Sequence, residues 1–132
     1  MSDDLRSPFD DHIDLKFGEI SPDRAEATLD AKGQHHQPFG LVHGGVYCTL
    51  VESVASVGAN AYSLGRGLGN AVGVSNSTDM LRSHQSGLLR AEGRPIHQGR
   101  TQQLWEVLIR RDSDGELVAR GQLRLAHIQP RS

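Results

Sequence analysis

One segment near the middle of the chain constrains the fold more than any other. Residues 46–62 are apolar on nearly every side of a helix, which is typical of a helix that is buried all round. His43 and two glycines precede this segment, and Gly65, Gly67 and Gly69 follow it, so both ends carry the signals of a helix boundary. The sequence therefore predicts one central helix that the other elements must cover.

The other segments are predicted mostly as β-strands, because apolar and polar residues alternate with period two. The alternation is clear in 24–31, 102–111 and 117–127, and weaker in 13–20, 71–78 and 88–96. Short turn sequences join neighbouring strand candidates, which favours antiparallel pairing. Two strands, a buried helix and four strands fit an α+β fold in which an antiparallel sheet wraps around the helix. A strand-rich module that binds a partner through its sheet face fits the same order.

Length and composition narrow the class of protein. The 132 residues suit a single domain over 1–132, with a loosely ordered N-terminal segment over 1–12. The formal net charge of −2 gives no sign of nucleic-acid or membrane-surface binding. Cys48 is the one cysteine, so no internal disulfide can form. The N-terminus lacks a secretory signal and the apolar run is too short and polar to span a bilayer, so we predict a cytoplasmic protein.

Glu52 is the most informative residue of the predicted helix, because it lies midway along it. Burying a carboxylate without a partner is expensive, and residues 33–65 contain no Lys or Arg to pair with it. A carboxylate in this position can act as a general base or as a nucleophile. The alternatives are a surface glutamate on the edge of the helix or a glutamate paired with a distant arginine. Ser56 follows one turn later on the same face.

The start of the helix is a second candidate site. The first N–H groups of a helix have no internal partner, and the helix dipole adds positive potential there. Gly44 and Gly45 let a ligand approach this backbone closely, so a carbonyl oxygen that gains negative charge would be stabilised. The alternative is an ordinary glycine turn. Gln37 and His43 lie in the preceding loop, whose histidines lack the spacing of a metal site, and we predict no metal.

Two arginines in the later strands, Arg82 and Arg100, lie near strand ends with small residues beside them. Guanidinium groups pair well with phosphate, so both suit a ligand that bears phosphate. The alternative for each is solvated surface charge.

The run QPFGLVHGGVYCTLVESVAS, residues 37–56, resembles the hotdog-fold acyl-CoA thioesterases. It is most similar to the branch that holds the phenylacetate-pathway, 4-hydroxybenzoyl-CoA and dihydroxynaphthoyl-CoA thioesterases. The resemblance continues through residues 72–83, 94–107 and 118–125. The spacing from HGG to the glutamate is specific for the branch but does not fix the substrate.

The resemblance implies roles for residues of this chain. Glu52 matches the catalytic carboxylate, and Gly44 matches the residue whose N–H polarises the thioester carbonyl. Gln37 and His43 match residues that orient the carbonyl or the attacking water, and Ser56 matches a hydroxyl one turn after the acid. The positions that match contacts to coenzyme A are Arg82, Ser83, His97, Gly99 and Arg100. No metal or redox cofactor is implied, and coenzyme A is part of the substrate.

The chain numbering itself predicts that the site is shared between two chains. Gly44 and Glu52 are eight residues apart, which is roughly 12 Å along a helix. Both groups therefore cannot serve one substrate carbonyl from the same chain. The resemblance implies the same arrangement, since hotdog dimers build their sites across the interface and this branch usually pairs dimers into tetramers.

Together these observations predict hydrolysis of an acyl-CoA thioester with an aromatic or otherwise bulky acyl group. Residues such as Tyr47 and Asn76 are expected to set the volume of the acyl pocket. A non-catalytic acyl-CoA-binding or regulatory hotdog domain is the main alternative, and it would have no use for a buried acid at Glu52. A hotdog hydratase would carry a different acid–base pair on its helix.

Overall fold

The strands of the computed structural model, which describes residues 7–129, form one antiparallel sheet. Within these residues the sheet has six strands in the order β1-β2-β4-β5-β6-β3, and every neighbouring pair is antiparallel. The elements are α1 Pro8–His12, β1 Lys16–Ser21, β2 Arg24–Ala31, a 3-10 helix Gly33–His35, α2 Gly44–Gly65, β3 Asn70–Met80, β4 Gly87–Gln98, β5 Gln102–Arg111 and β6 Leu117–Ile128. The three clear strands and the three weaker ones are confirmed.

The core lies between the concave face of the sheet and α2. The alternation predicted for β2 is confirmed, since its alanines and Leu29 are buried while the residues between them are more exposed. Trp105 of β5 is fully buried beneath the helix, close to Gly58 of α2. The small alanine side chains on β2 leave the space that the helix occupies. The sheet wraps around one long helix, as the α+β hotdog architecture requires.

The prediction that the helix is buried all round is wrong for the single chain. α2 buries one face against the sheet, with Val51 and Val54 fully enclosed, but Cys48, Thr49 and Glu52 on the opposite side are only half-buried. One curved sheet can cover one side of a helix and leaves the other side open. The helix is also longer than the predicted span 46–62.

The N-terminal segment departs from the sequence prediction as well. We predicted a loosely ordered segment over 1–12, whereas residues 8–12 form α1; residues 1–6 lie outside the described part of the chain. The side chain of Ser7 caps this helix and Pro8 occupies its first turn, which are established helix-start positions. Asp10 is buried and accepts a hydrogen bond from Ser53 Oγ at 2.7 Å, so a tertiary contact orders the segment.

Strand β3 forms one edge of the sheet, where it pairs with β6 alone. Its side chains are mostly exposed, including those of Val72, Val74 and Met80. An edge strand presents unpaired N–H and C=O groups and can accept another strand. In the described residues no helix combines the length and apolar character that crossing a membrane requires.

Candidate active site

The start of α2 is capped in a way that leaves one N–H group available. His43 is the N-cap residue, and its Nδ1 accepts a hydrogen bond from Gly45 N at 2.8 Å. Within residues 7–129 no bond to the N–H of Gly44 is found, as the geometry of a first helical turn leads one to expect. A Cβ on residue 44 would lie 3.0 Å from the methyl group of Met80, so a glycine keeps this backbone open. The helix start can therefore hold a negatively charged oxygen.

A pocket lies in front of this helix start, and we call it the Gly44 pocket. It is lined by Gln37, Leu41, Val42, Gly44, Tyr47, Met80, Leu81, Arg82 and Ser83. Backbone hydrogen bonds hold the loop beside it, with Gln37 N donating to Leu41 O at 2.8 Å and His43 N donating to His35 O at 2.8 Å. The side-chain oxygen of Gln37 accepts from the N–H of Phe39. The structure thus brings Gln37, Arg82 and Ser83 to the helix start.

Glu52 lies in a different pocket, which we call the Glu52 pocket. Its walls are formed by Ser7, Phe9, Asp10, Cys48, Thr49, Glu52, Ser53 and Asn76. Asn76 Nδ2 lies 3.4 Å from Glu52 Oε1 and donates to Cys48 O at 3.0 Å. Among the described residues Glu52 forms no ion pair, so the alternative of a distant arginine partner is not realised in this chain. The carboxylate has an amide neighbour and no neutralising cation.

The two residues predicted to surround the acyl group lie in different pockets. Asn76 stands beside Glu52, whereas Tyr47 lines the Gly44 pocket. The hydroxyl of Tyr47 is buried and finds no partner among the described residues, and burial raises the pKa of Tyr47. Ser56 lies one turn beyond Glu52 and is half-buried, outside the walls of the Glu52 pocket.

The predicted coenzyme A contacts also divide into two groups within one chain. Arg82 and Ser83 are at the Gly44 pocket. His97, Gly99 and Arg100 lie in or beside the β4–β5 connection, which packs towards the other end of α2. Neighbouring contacts fix this position: Gln103 Nε2 donates to Ala59 O at 2.9 Å, and the ring of His127 reaches Arg100 O at 2.8 Å. One chain alone therefore does not assemble the predicted set.

Six residues of the Glu52 pocket were not predicted as site residues, and they are Ser7, Phe9, Asp10, Cys48, Thr49 and Ser53. Two of them belong to α1, in the segment that we expected to be loosely ordered. The Ser-Pro pair at 7–8 was the one local signal of a helix there. Burial of Asp10 raises the pKa of its carboxyl, while the hydrogen bond from Ser53 acts in the opposite direction.

Two further kinds of site, a metal centre and a cavity on the sheet, have less support in the structure. Among residues 7–129 no group of three or more His, Cys, Asp or Glu side chains is placed to hold a metal ion. A cavity of 440 Å³ on the outer face of the sheet has charged walls, but several of those charges are held in ion pairs. Arg90 Nε is 2.6 Å from Asp112 Oδ1, and Glu92 Oε2 is 2.9 Å from Arg24 Nη2. None of the predicted site residues lies in that cavity.

The fold is that of the hotdog class, in which a curved antiparallel sheet wraps around one long helix. The sequence model of the thioesterase superfamily matches residues 39–118. This match covers more than half of the chain, and the chain belongs to the thioesterase superfamily.

Two relatives and one solved structure support this assignment. The 1,4-dihydroxy-2-naphthoyl-CoA hydrolase of Escherichia coli is 34% identical over 114 residues, covering 86% of this chain and 82% of that protein. The proofreading thioesterase EntH of Cronobacter turicensis is 33% identical over 99 residues, covering 75% of this chain and 71% of that protein. A solved structure from Mycobacterium tuberculosis, of a protein provisionally named an esterase, matches with a TM-score of 0.90 and 46% identity, covering 96% of this chain and 100% of that one. Family and relatives support thioester hydrolysis as the reaction class.

Proposed function

We propose that this protein hydrolyses an acyl-CoA thioester with an aromatic or otherwise bulky, uncharged acyl group. The observation that carries the proposal is the Glu52 carboxylate, which faces a pocket beside Asn76 and has no cation among residues 7–129 to neutralise it. Two of the relatives described above have names that specify a CoA hydrolase and a thioesterase, which supports a thioester substrate and a CoA leaving group. A domain that only bound acyl-CoA would gain nothing from such a carboxylate.

The proposed reaction uses groups of the chain and one water molecule. Glu52 accepts a proton from water while the water oxygen attacks the thioester carbon, and the carbonyl oxygen becomes negative. The N–H of Gly44 stabilises that oxygen at the helix start, with Gln37 and His43 holding the surrounding loop. The carbon–sulfur bond then breaks, the coenzyme A thiolate takes the proton, and a free acid forms. Direct attack by Glu52, followed by hydrolysis of the mixed anhydride, gives the same products.

The proposal requires two chains, because Gly44 and Glu52 lie in separate pockets about 12 Å apart along α2. We propose a homodimer in which two β3 edges pair in antiparallel fashion. Pairing centred on Thr78 would set Asn76 of one chain opposite Met80 of the partner subunit. Asn76 borders Glu52 and Met80 borders Gly44, so this pairing joins the Glu52 pocket of one chain to the Gly44 pocket of the other. Association of dimers into tetramers and a cytoplasmic location stay predictions.

The reaction is tested by measuring release of free thiol from benzoyl-CoA, hexanoyl-CoA and acetyl-CoA, with and without a chelator. We expect turnover of benzoyl-CoA that the chelator does not reduce. Glu52→Gln retains the shape of the side chain but not its basicity, so kcat and kcat/KM should fall together. Wild-type kcat in the Glu52→Gln variant would refute the assignment of Glu52. Binding without turnover for every acyl-CoA would favour the acyl-CoA-binding alternative.

The shared site is tested by mixing two inactive variants, Glu52→Ala and Gln37→Ala. If Gln37→Ala retains activity, Gly44→Pro replaces it, since proline lacks the N–H and is tolerated in a first helical turn. After the two proteins are unfolded together and refolded, about half of the dimers are mixed, and each has one intact site, so activity should return to about a quarter of wild type. Variants that are refolded separately and then combined are the control. Mixed dimers without activity would refute a site shared between chains.

A further inference from the structure

The short helix α1 forms one side of the Glu52 pocket and is held there at two points. Asp10 is 6% exposed and accepts a hydrogen bond from Ser53 Oγ at 2.7 Å, which ties α1 directly to α2. Just after α1, His35 Nε2 donates to Ile13 O at 2.8 Å, which ties the same segment to the loop that precedes α2. Because both contacts are to buried or half-buried groups, α1 is a fixed wall of the pocket.

The residue immediately before Asp10 points in another direction. Phe9 precedes Asp10, lines the Glu52 pocket and is 60% exposed. Neighbouring residues on a helix point about 100° apart, so Asp10 can bury itself against α2 while Phe9 faces the pocket. The structure therefore presents an aromatic ring beside the predicted catalytic carboxylate.

The charge of the pocket walls indicates which part of the substrate they suit. Among residues 7–129, the walls contain two carboxylates, Glu52 and Asp10, and no Lys, Arg or His. Phosphate groups are recognised by guanidinium and ammonium groups, and the Gly44 pocket carries one in Arg82. The Glu52 pocket would repel the phosphates of coenzyme A, whereas an uncharged ring or alkyl chain meets Phe9 there.

We propose that α1 is the acyl-selecting wall of the site, with Phe9 in contact with the acyl group and Asp10 acting as the positioning residue for Phe9. This inference rests on the proposed acyl-CoA hydrolysis and specifies the acyl class. Aromatic acyl groups gain an edge or stacking contact with the Phe9 ring. Acyl groups that end in a carboxylate are disfavoured by the two carboxylates of the walls.

The first experiment compares Phe9→Ala with wild type on benzoyl-CoA and butanoyl-CoA. We expect the ratio of kcat/KM for benzoyl-CoA to that for butanoyl-CoA to fall about ten-fold, because loss of an aromatic contact acts on one substrate more than the other. Leu64→Ala is the matched control, since Leu64 is also an exposed apolar residue, 48% exposed, but lies twelve residues beyond Glu52 on α2. An unchanged ratio in Phe9→Ala would overturn the inference.

Asp10 is tested by two substitutions, one that can keep the hydrogen bond from Ser53 and one that removes it. Asp10→Asn keeps an oxygen that can accept from Ser53, so it should preserve the benzoyl preference, whereas Asp10→Ala should lower the ratio as Phe9→Ala does. Wild type should also use succinyl-CoA at least ten-fold less well than butanoyl-CoA, a chain of the same length without the carboxylate. Equal use of these two substrates, or loss of the preference in Asp10→Asn, would overturn the inference.

Failure of this inference can be told apart from failure of the proposed function. The Glu52→Gln variant is titrated with benzoyl-CoA and butanoyl-CoA by calorimetry, with and without Phe9→Ala, so that binding is measured without turnover. A preference for benzoyl-CoA that Phe9→Ala removes supports the inference whether or not the wild type shows catalysis. If Phe9→Ala leaves the binding of both acyl-CoAs to the Glu52→Gln protein unchanged, the inference is wrong and the proposed hydrolysis is unaffected. If the wild type neither binds nor hydrolyses any of these acyl-CoAs, both proposals are wrong.

Discussion

Gly73 of β3 lies against the Glu52 carboxylate and provides a sharp test of the site. A Cβ built on this glycine would overlap Glu52 Oε2, and it would lie 3.1 Å from Glu52 Cδ and 3.2 Å from Leu123 Cδ1. The backbone of Gly73 is outside the left-handed region, so alanine fits the strand. In Gly73→Ala the new methyl group must therefore displace the carboxylate, which is the free end of a flexible side chain.

The size of the effect follows from this displacement. Ordinary contact begins at 3.4 Å, so the overlap with Oε2 requires the carboxylate to move by about 1 Å. A misplacement of that size at a reacting group costs about 100-fold in rate. Only side-chain atoms have to move, the Glu52 carboxylate and, by a few tenths of an ångström, the Leu123 methyl group, so the free energy of unfolding should change by less than about 1 kcal/mol. We expect kcat for benzoyl-CoA to fall about 100-fold while thermal unfolding is nearly unchanged.

The control for Gly73→Ala is Gly18→Ala on the other edge strand, β1. A Cβ on Gly18 would be 3.6 Å from the nearest atom of Glu26, an ordinary contact, so this variant should keep wild-type kcat. The assay is thiol release, with a melting curve for each variant. A stable Gly73→Ala protein with wild-type kcat would show that the position of the Glu52 carboxylate does not matter, and the proposed role of Glu52 would be wrong.

Three further predictions concern stability. Asn60→Ala leaves the N–H and C=O of Ala71 without their partner, at 3.0 and 2.9 Å from the amide, and should lower the free energy of unfolding by about 1–3 kcal/mol in urea titrations. Gly58→Ala would place a methyl group 2.7 Å from Cζ3 of the fully buried Trp105; we expect a lower melting temperature and about 1–3 kcal/mol of destabilisation, despite the better helix propensity of alanine. Burial raises the pKa of Asp10 in the folded protein, so the folded state binds this proton more tightly than the unfolded state. The resulting contribution is complete below about pH 4 and declines as pH rises through the raised pKa; urea titrations from pH 4 to 7 should show wild type losing stability relative to Asp10→Asn, and a constant difference would contradict this.

The sequence predicts the strands well because burial on one face of a sheet leaves a period-two pattern that is visible locally. It predicts the start of α2 for a similar reason, since His43 and Gly44 are adjacent to the helix that they begin. It does not predict α1, because the contact that orders this helix joins Asp10 to Ser53, 43 residues away. Neither residue carries a periodic signal, and apart from the Ser-Pro pair at 7–8 an acidic, polar segment without its tertiary partner resembles a loosely ordered one.

In the candidate site, too, the sequence identifies residues within a motif but not which distant segments the fold brings together. Resemblance supplies residue types for both predicted catalytic groups and for the predicted coenzyme A contacts, but it does not say which residues share a pocket. The structure places Arg82 with Gly44 and places Arg100 towards the other end of α2. Phe9 lines the pocket from α1, a helix that the sequence pattern does not predict. Residues of this kind can be found only from the fold.

The half-exposed face of α2 connects the fold to the proposed dimer. Cys48, Thr49 and Glu52 lie on the side of the helix that its own sheet does not cover, and the sequence nevertheless has the apolar character of a helix buried all round. A second chain that pairs through β3 would cover this face, so the prediction of full burial would hold for the dimer.

A carboxylate without a cation is costly in a dry interface, however, and a dimer that sealed Glu52 away from water would be destabilised. The proposed interface would therefore leave a cleft at Glu52, with the helix start of the partner subunit on its far side. Dimerisation through β3 and a substrate cleft between Glu52 and that helix start are thus one proposal, because each requires the other.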